Sequence, residues 1–221
     1  MTTRQEAGAT GHYTTSDNKM GIVTMLRYVL GLLLHPTTTL PQLRQWDDDS
    51  IMQLAQRFVL PLAAIPVVAS MVGTTSFGWN FGDGVVRIAP STAIFLGILF
   101  YITIVAAVML MGFVIYRMAH HGPRDPSLQR CIAFAGYIAT PMFISGIVAI
   151  YPLIWLCCLA AIAGVLYTSY LLYVGIPFFL ELNKEEAFTI SSSILAIGVL
   201  LLEALGLALV LVWRYGIGLI H

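Results

Sequence analysis

The composition of this 221-residue chain excludes most classes of soluble protein. Hydrophobic residues make up 58% and charged residues 10% of the chain, and its mean hydropathy is +0.85, which lies outside the range of soluble globular domains. Lys plus Arg equal Asp plus Glu at 11 each, so there is no basic field to attract nucleic acid. We therefore expect an integral membrane protein that does not bind nucleic acid.

The residues before the first long apolar segment are expected to lie outside the bilayer core. Residues 1–19 are rich in Thr, Gly, Ser and charge, which predicts a disordered cytoplasmic tail. The apolar run from Met20 to Leu34 is too short to cross a bilayer and contains Arg27. It suits a helix in the headgroup plane or one packed under the bundle, and both interpretations stay open. We assign residues 20–50 to an interfacial cytoplasmic segment and residues 51–221 to the membrane domain.

Five apolar segments that are long enough to cross a bilayer occupy the rest of the chain. The expected fold is all-α, a polytopic bundle of five transmembrane helices preceded by an interfacial helix. The predicted spans cover residues 56–77, 92–116, 131–150 and 153–176, with a fifth that ends near Trp213.

Two prolines single out the third and fourth spans. A proline cannot donate to the carbonyl four residues earlier, so Pro141 frees the carbonyl of Tyr137 and Pro177 frees that of Tyr173. A freed carbonyl in hydrocarbon needs a partner from a neighbouring helix or water. We therefore expect these two spans to form a tight hairpin at the packed centre of the bundle.

Small residues spaced four apart strengthen this expectation. Such pairs let helix backbones approach closely in a membrane. They occur as Gly136 with Thr140 and Ala135 with Ala139 in the third span, and as Ala160 with Gly164 in the fourth.

The distribution of basic residues predicts the orientation of the chain. Cytoplasmic loops of membrane proteins carry an excess of Lys and Arg. With five spans, nine of these residues fall on the N-terminal side and two on the other, which places the N-terminus in the cytoplasm and the C-terminus in the periplasm. The nine are Arg4, Lys19, Arg27, Arg44, Arg57, Arg117, Arg124, Arg130 and Lys184, and the two are Arg87 and Arg214.

Glu203 is the one charged residue predicted deep inside a span. It lies about 12 residues into the fifth span, and at ~1.5 Å per residue this is near the bilayer centre. An ionised carboxylate there costs roughly 2.5–3.5 kcal/mol. We therefore expect the side chain to face protein, neutral or nearly so, since no buried Lys or Arg can pair with it. The expected hydrogen-bond partners are Tyr137, Thr140, Tyr167 and Thr168.

No reaction centre is recognisable in the sequence. His120 and His121 are adjacent on a Gly/Pro connector with no third ligand, and the Asp47–Asp49 run suits the cap of a helix better than a cation site. We find no nucleophile–base pair, phosphate-binding glycine loop or carboxylate dyad. The prediction is a non-enzymatic protein without a metal or cofactor.

Several motifs recur in sequential order between roughly Leu30 and the C-terminus. They are Gly73-Thr74-Thr75 with the loop of residues 78–84, Ala135 to Pro141, Tyr151-Pro152-Leu153, and Gly175-Ile176-Pro177 leading into residues 183–186. In these motifs the sequence resembles the Yip domain family of Ypt-interacting proteins, and most of all its bacterial YohC-like inner-membrane branch.

The resemblance implies five spans and a cytoplasmic N-terminus. In eukaryotic members it also implies a place in ER and Golgi membranes beside Rab-type GTPases. This chain has a short cytoplasmic tail and no Asp-Leu-Tyr-Gly-Pro element, and its expected setting is the bacterial cytoplasmic membrane.

Two functional hypotheses remain. The first is a membrane protein that binds lipids and a membrane or cytoplasmic protein partner, or organises the bilayer, with homo-oligomerisation left open. The second is a small proton-coupled transporter or channel that uses Glu203. The alternative role for this residue is structural, a hydrogen bond that holds two helices together. The candidate residues are Glu203, Gly136, Tyr137, Thr140, Pro141, Tyr167, Thr168, Tyr173 and Pro177.

Overall fold

The computed structural model of the chain describes Gly31 and residues 48–80, 85–86, 89–120 and 126–216. The predicted disordered tail and almost all of the predicted interfacial segment lie outside these described residues.

Five described helical segments are long and apolar enough to cross a membrane, which confirms the predicted all-α membrane bundle. The first is α1 (Asp48–Val72), extended by a π-helical turn (Gly73–Phe77), and the second is α2 (Pro90–Ala119). The third consists of α3 (Leu128–Ile138), α4 (Thr140–Ser145) and a 3-10 turn (Gly146–Ile150). The fourth is α5 (Ile154–Leu180) and the fifth is α6 (Lys184–Gly216).

A short antiparallel hairpin joins the first two spans. Its strands, β1 (Trp79–Asn80) and β2 (Val85–Val86), pair Trp79 with Val86 and Asn80 with Val85. With two residues per strand, this pairing contributes little to the stability of the fold.

The third span is the centre of the bundle. Of its most apolar stretch, 56% is buried, against 11% for the second, fourth and fifth spans. One face of α3 packs with α2, α5 and α6 in a cluster that includes Ile115, Phe134, Leu171 and Ile194. The opposite face carries Tyr137 and packs against α1. Both faces of α3 are therefore covered by protein.

The third span lies at the centre of the bundle as predicted, but the fourth span does not. The third and fourth spans pack together, and the rings of Phe134 and Phe179 stack between them at 4.3 Å. The fourth span, however, exposes most of its outer surface, including Trp155, Leu159 and Leu166. The carbonyl that Pro177 frees needs a partner only on the side of the helix where it lies. Pro177 therefore requires protein against one side of α5 and not a central position in the bundle.

Close helix approach depends on glycines, as the small-residue spacing predicted. A Cβ built on Gly136 would lie 2.5 Å from Val59 of α1, and one on Gly164 would lie 2.7 Å from the hydroxyl of Ser145. In the π-helical turn, a Cβ on Gly73 would meet the carbonyl oxygen of Ala149. These positions bring the first and fourth spans against the third.

Candidate functional site

Tyr137 lies between the first and third spans. Its side chain is 6% exposed, and its ring lies 5.5 Å from that of Phe58 at a tilt of 39°. It belongs to the cluster that α1 forms with α3 and α4, which also contains Val59, Ala63 and Phe143. Tyr137 is therefore part of the packing between the first and third spans.

Thr140 and Pro141 mark a break in the third span. The helix turns at Ala139, between α3 and α4, and Pro141 lies in the first turn of α4. Proline is favoured at this place because the first turn of a helix leaves its N–H groups unpaired in any case. Thr140 is fully buried, and its hydroxyl donates to the carbonyl of Gly136 at 3.4 Å. The hydroxyl thus supports the backbone where the helix is interrupted.

Tyr167 and Thr168 lie together in the middle of α5. Tyr167 packs against the cluster that includes Leu171 and Phe134, and its ring lies 5.8 Å from that of Tyr170. The hydroxyl of Thr168 is buried and has no hydrogen-bond partner among the described residues. Neither side chain is bonded to the carboxyl of Glu203, since no such hydrogen bond exists in the described part of the chain.

Tyr173 forms the polar contact between the last two spans. Its phenol oxygen lies 2.9 Å from the hydroxyl of Ser192 on α6, and its ring lies 5.5 Å from that of Phe188. Pro177 lies within α5 without ending it, since the helix continues to Leu180. The run Ser191–Ser193 could have predicted the role of Ser192, because Ser and Thr side chains form many of the hydrogen bonds between membrane helices.

The prediction that Glu203 faces the bundle is wrong. Its side chain is exposed in the isolated chain, and no hydrogen bond or ion pair joins it to another described residue. The residues one turn away on the same face are exposed as well, with Leu200 at 65% and Leu207 at 61%. The carboxyl therefore points away from the four other spans.

The direction of Glu203 follows from the face that α6 uses for packing. Ala187, Ser191 and Ile194 are 2%, 0% and 0% exposed and lie on one side of the helix, against α2 and α5. Glu203 lies sixteen residues after Ala187, which at about 100° per residue turns it roughly 160° from this side. The small residues Ala187 and Ser191 and the branched Ile194 thus determine which face of α6 packs against the other spans, and Glu203 lies on the opposite face.

The predicted residues thus do not form one site. Tyr137 and Gly136 belong to the contact of the third span with the first, Thr140 bonds the backbone of its own span, and Tyr173 belongs to the contact of the fourth with the fifth. In the ranges that the structure describes, no group of three His, Cys, Asp or Glu side chains is placed to hold a metal ion. What the arrangement presents chemically is a single outward carboxyl on the membrane-facing surface of α6.

Comparison with known proteins defines the family of the chain. The Yip1 domain matches residues 30–205. The chain is also 47% identical over 192 residues to the inner membrane protein YohC of Escherichia coli strain K12, covering 86% of this chain and 98% of the relative. The YohC protein of E. coli O6:H1 strain CFT073 matches to the same extent. No solved structure matches the chain significantly. With the family domain spanning four-fifths of its length and five membrane helices arranged around the third, this integral membrane protein belongs to the Yip1 domain family.

Proposed function

We propose that the chain is a non-enzymatic protein of the bacterial cytoplasmic membrane that binds partners or organises the surrounding membrane. The observation that carries this proposal is the outward direction of Glu203. A carboxyl that serves a pathway through the bundle has to line its interior. A carboxyl on the outer surface can instead meet another molecule in the plane of the membrane.

The polar groups inside the spans support the same proposal. Most of their hydroxyls donate to carbonyls three or four residues earlier in the same helix, as Thr103 does to Leu99 and Ser169 does to Val165. A hydroxyl bonded in this way serves the backbone and is not free to pass a proton across the bundle. Two tyrosines form side-chain hydrogen bonds between different spans: Tyr101 donates to the carbonyl of Leu60 at 3.2 Å, and the phenol of Tyr173 bonds the hydroxyl of Ser192.

Proton flux separates this proposal from the alternative, a small proton-coupled transporter or channel that uses Glu203. We expect proteoliposomes of the wild type and of Glu203→Gln to leak protons at the rate of protein-free vesicles under an imposed potential, because the carboxyl lies outside the bundle. The exposed Glu186, in the first turn of α6, offers Glu186→Gln as the matched control. A proton current that Glu203→Gln abolishes and Glu186→Gln retains would establish the transporter instead.

The proposed orientation has a cytoplasmic N-terminus and a periplasmic C-terminus. It is supported by the basic residues Arg57, Arg117, Arg130 and Lys184, which lie close to the ends of the apolar spans, on the side where the third span begins. Fusion of alkaline phosphatase, which is active only in the periplasm, after Gly216 is expected to give an active reporter, and fusion after Arg124 an inactive one. The reverse pattern of activity would contradict this orientation.

A further inference from the structure

Two irregular helical turns meet at one end of the bundle. The first span ends in the π-helical turn Gly73–Phe77, after which the amide of Gly78 donates to the carbonyl five residues earlier at 2.9 Å. The third span ends in the 3-10 turn Gly146–Ile150, after which the amide of Tyr151 donates to the carbonyl three residues earlier at 3.0 Å. We call these two segments the paired turns.

The backbones of the paired turns touch each other directly. Gly73 is buried, and a Cβ built on it would collide with the carbonyl oxygen of Ala149 and lie 3.1 Å from that of Ile150. Pro152 has no N–H, so the 3-10 winding cannot continue and pair the carbonyl of Ala149 with the amide three residues later. That carbonyl lies against the first span instead. A shift of either backbone therefore acts on the other without an intervening side chain.

The paired turns have few buried contacts. Among their residues, all of which the structure describes, Gly73 alone is buried. The rings of Phe77 and Tyr151 lie 5.1 Å apart and join the ends of the two turns, but these side chains are 47% and 59% exposed. The hydrogen-bond geometry of a 3-10 turn is also poorer than that of an α-helix, and π-helical turns are rare. Segments of this kind open at a lower free energy than packed helices do.

Two threonines support the π-helical turn from within the first span. The hydroxyl of Thr74 donates to the carbonyl of Ser70 at 2.6 Å, and that of Thr75 donates to the carbonyl of Met71 at 2.8 Å. A hydroxyl bonded to the carbonyl four residues earlier competes with the regular helical hydrogen bond and often bends a helix. The motif Gly73-Thr74-Thr75 thus supplies both the open side of the turn and two of its hydrogen bonds.

We propose that the paired turns form one hinge, at which the ends of the first and third spans open together while the rest of the bundle stays folded. The fixed side of the hinge is the packed contact of these spans further along, where Gly136 meets Val59 and Gly146 meets Pro66. The moving side carries the hairpin that begins at Trp79. Opening therefore changes the position of the connection between the first two spans. This inference does not depend on the proposed function.

Hydrogen–deuterium exchange of the full chain in lipid nanodiscs tests the hinge. Thr75→Val keeps the shape of the side chain and removes its hydrogen bond. We expect the amide exchange of residues 73–78 and of residues 146–151 to rise together, each about fivefold, the size expected for the loss of one hydrogen bond. The matched control is Thr103→Val, because Thr103 makes the same bond at 2.8 Å within the regular helix α2. This control is expected to leave both segments unchanged.

A change in the third span is expected to act on the first in the same way. Tyr151→Leu removes the ring contact with Phe77 and is expected to speed the exchange of residues 73–78, because energetic coupling between two sites is reciprocal. Trp155→Leu is the matched control, since Trp155 is an aromatic residue near the same end of the bundle and is 63% exposed. It is expected to leave the exchange of residues 73–78 unchanged.

A substitution at Gly73 acts on both turns at once. Gly73→Ala forces the backbones apart and is expected to raise the exchange of both segments at least tenfold, as forcing a methyl group into a packed contact does. Gly206→Ala is the control, because a Cβ built on Gly206 meets nothing within 4 Å. The midpoint of unfolding in SDS shows whether each variant is folded. If Gly73→Ala does not fold, Thr75→Val and Tyr151→Leu still test the hinge.

Three results would overturn the inference. The first is exchange that rises only in the span that carries the substitution, since the two turns would then open independently. The second is an equal rise for Thr75→Val and Thr103→Val, which would mean that the π-helical turn is no easier to open than a regular helix. The third is a rise that extends to the packed contact around Gly136, because the bundle would then unfold as a whole.

Discussion

Replacing Gly112 with alanine is expected to lower the free energy of unfolding by about 1–3 kcal/mol, the usual cost of forcing a methyl group into a packed contact. The added Cβ would lie 2.5 Å from the Cα atom of Ile132 and 2.9 Å from its backbone nitrogen. Backbone atoms cannot rotate away as side chains do, so α2 and α3 would have to separate. The midpoint of unfolding in mixed detergent micelles with increasing SDS measures the effect.

The matched control for Gly112→Ala lies on the same helix. Ala106 of α2 is exposed, and Ala106→Leu adds a larger side chain at a place where it meets no neighbouring span. We expect its unfolding midpoint to stay near that of the wild type. Alanine is also a better helix former than glycine, so an unchanged or higher midpoint for Gly112→Ala would show that α2 and α3 do not approach as closely as the structure places them.

Replacing Phe134 with alanine is expected to cost about 3–5 kcal/mol, the range for removing a large aromatic side chain from a packed core. Phe134 is 2% exposed, and its ring stacks on Phe179 with a 5° angle between the planes. Its removal leaves a cavity between the third and fourth spans and ends the ring contact that joins them. The same SDS titration measures the loss.

Phe95 provides the comparison for Phe134. It lies on α2 and is 63% exposed, so detergent or lipid contacts most of its ring in the folded chain. Phe95→Ala is expected to shift the midpoint only slightly, because an exposed apolar side chain in a bilayer keeps similar surroundings after the helices separate. Equal losses for the two variants would mean that the third and fourth spans are not joined through Phe134.

These predictions separate the inner surfaces of the bundle, which stabilise the fold, from the outer surface of α6 that carries the carboxyl of Glu203. Gly112 lies where the second span meets the third, and Phe134 lies where the third span meets the fourth. Glu203 contributes to neither contact, and its replacement by leucine should leave the unfolding midpoint of an isolated copy unchanged or raised. The position of Glu203 outside the bundle is what makes a role in association the better-supported reading of this residue.

The local features of the chain followed from its sequence. Apolar length alone placed the spans within about five residues of the apolar segments of the observed helices, because a bilayer requires about 20 apolar residues per helix. It did not place the helix ends, since α1 begins at Asp48. The interruption near Pro141 and the close approach at Gly136 and Gly164 also followed, since the lack of an N–H and the lack of a side chain act on the nearest turn and the nearest neighbour.

Which face of each helix meets protein was decided by the tertiary structure. A carboxyl at membrane depth is costly without a partner, but this cost does not determine which face of α6 meets the other spans. The rotation of α6 about its axis is set by the packing of Ala187, Ser191 and Ile194 against α2 and α5. The sequence around Glu203 contains no information about this packing. The peripheral position of the fourth span was likewise decided by how the helices pack and not by its own sequence. Length and hydropathy act on each segment by itself, whereas the rotation of a helix depends on the shapes of the helices beside it.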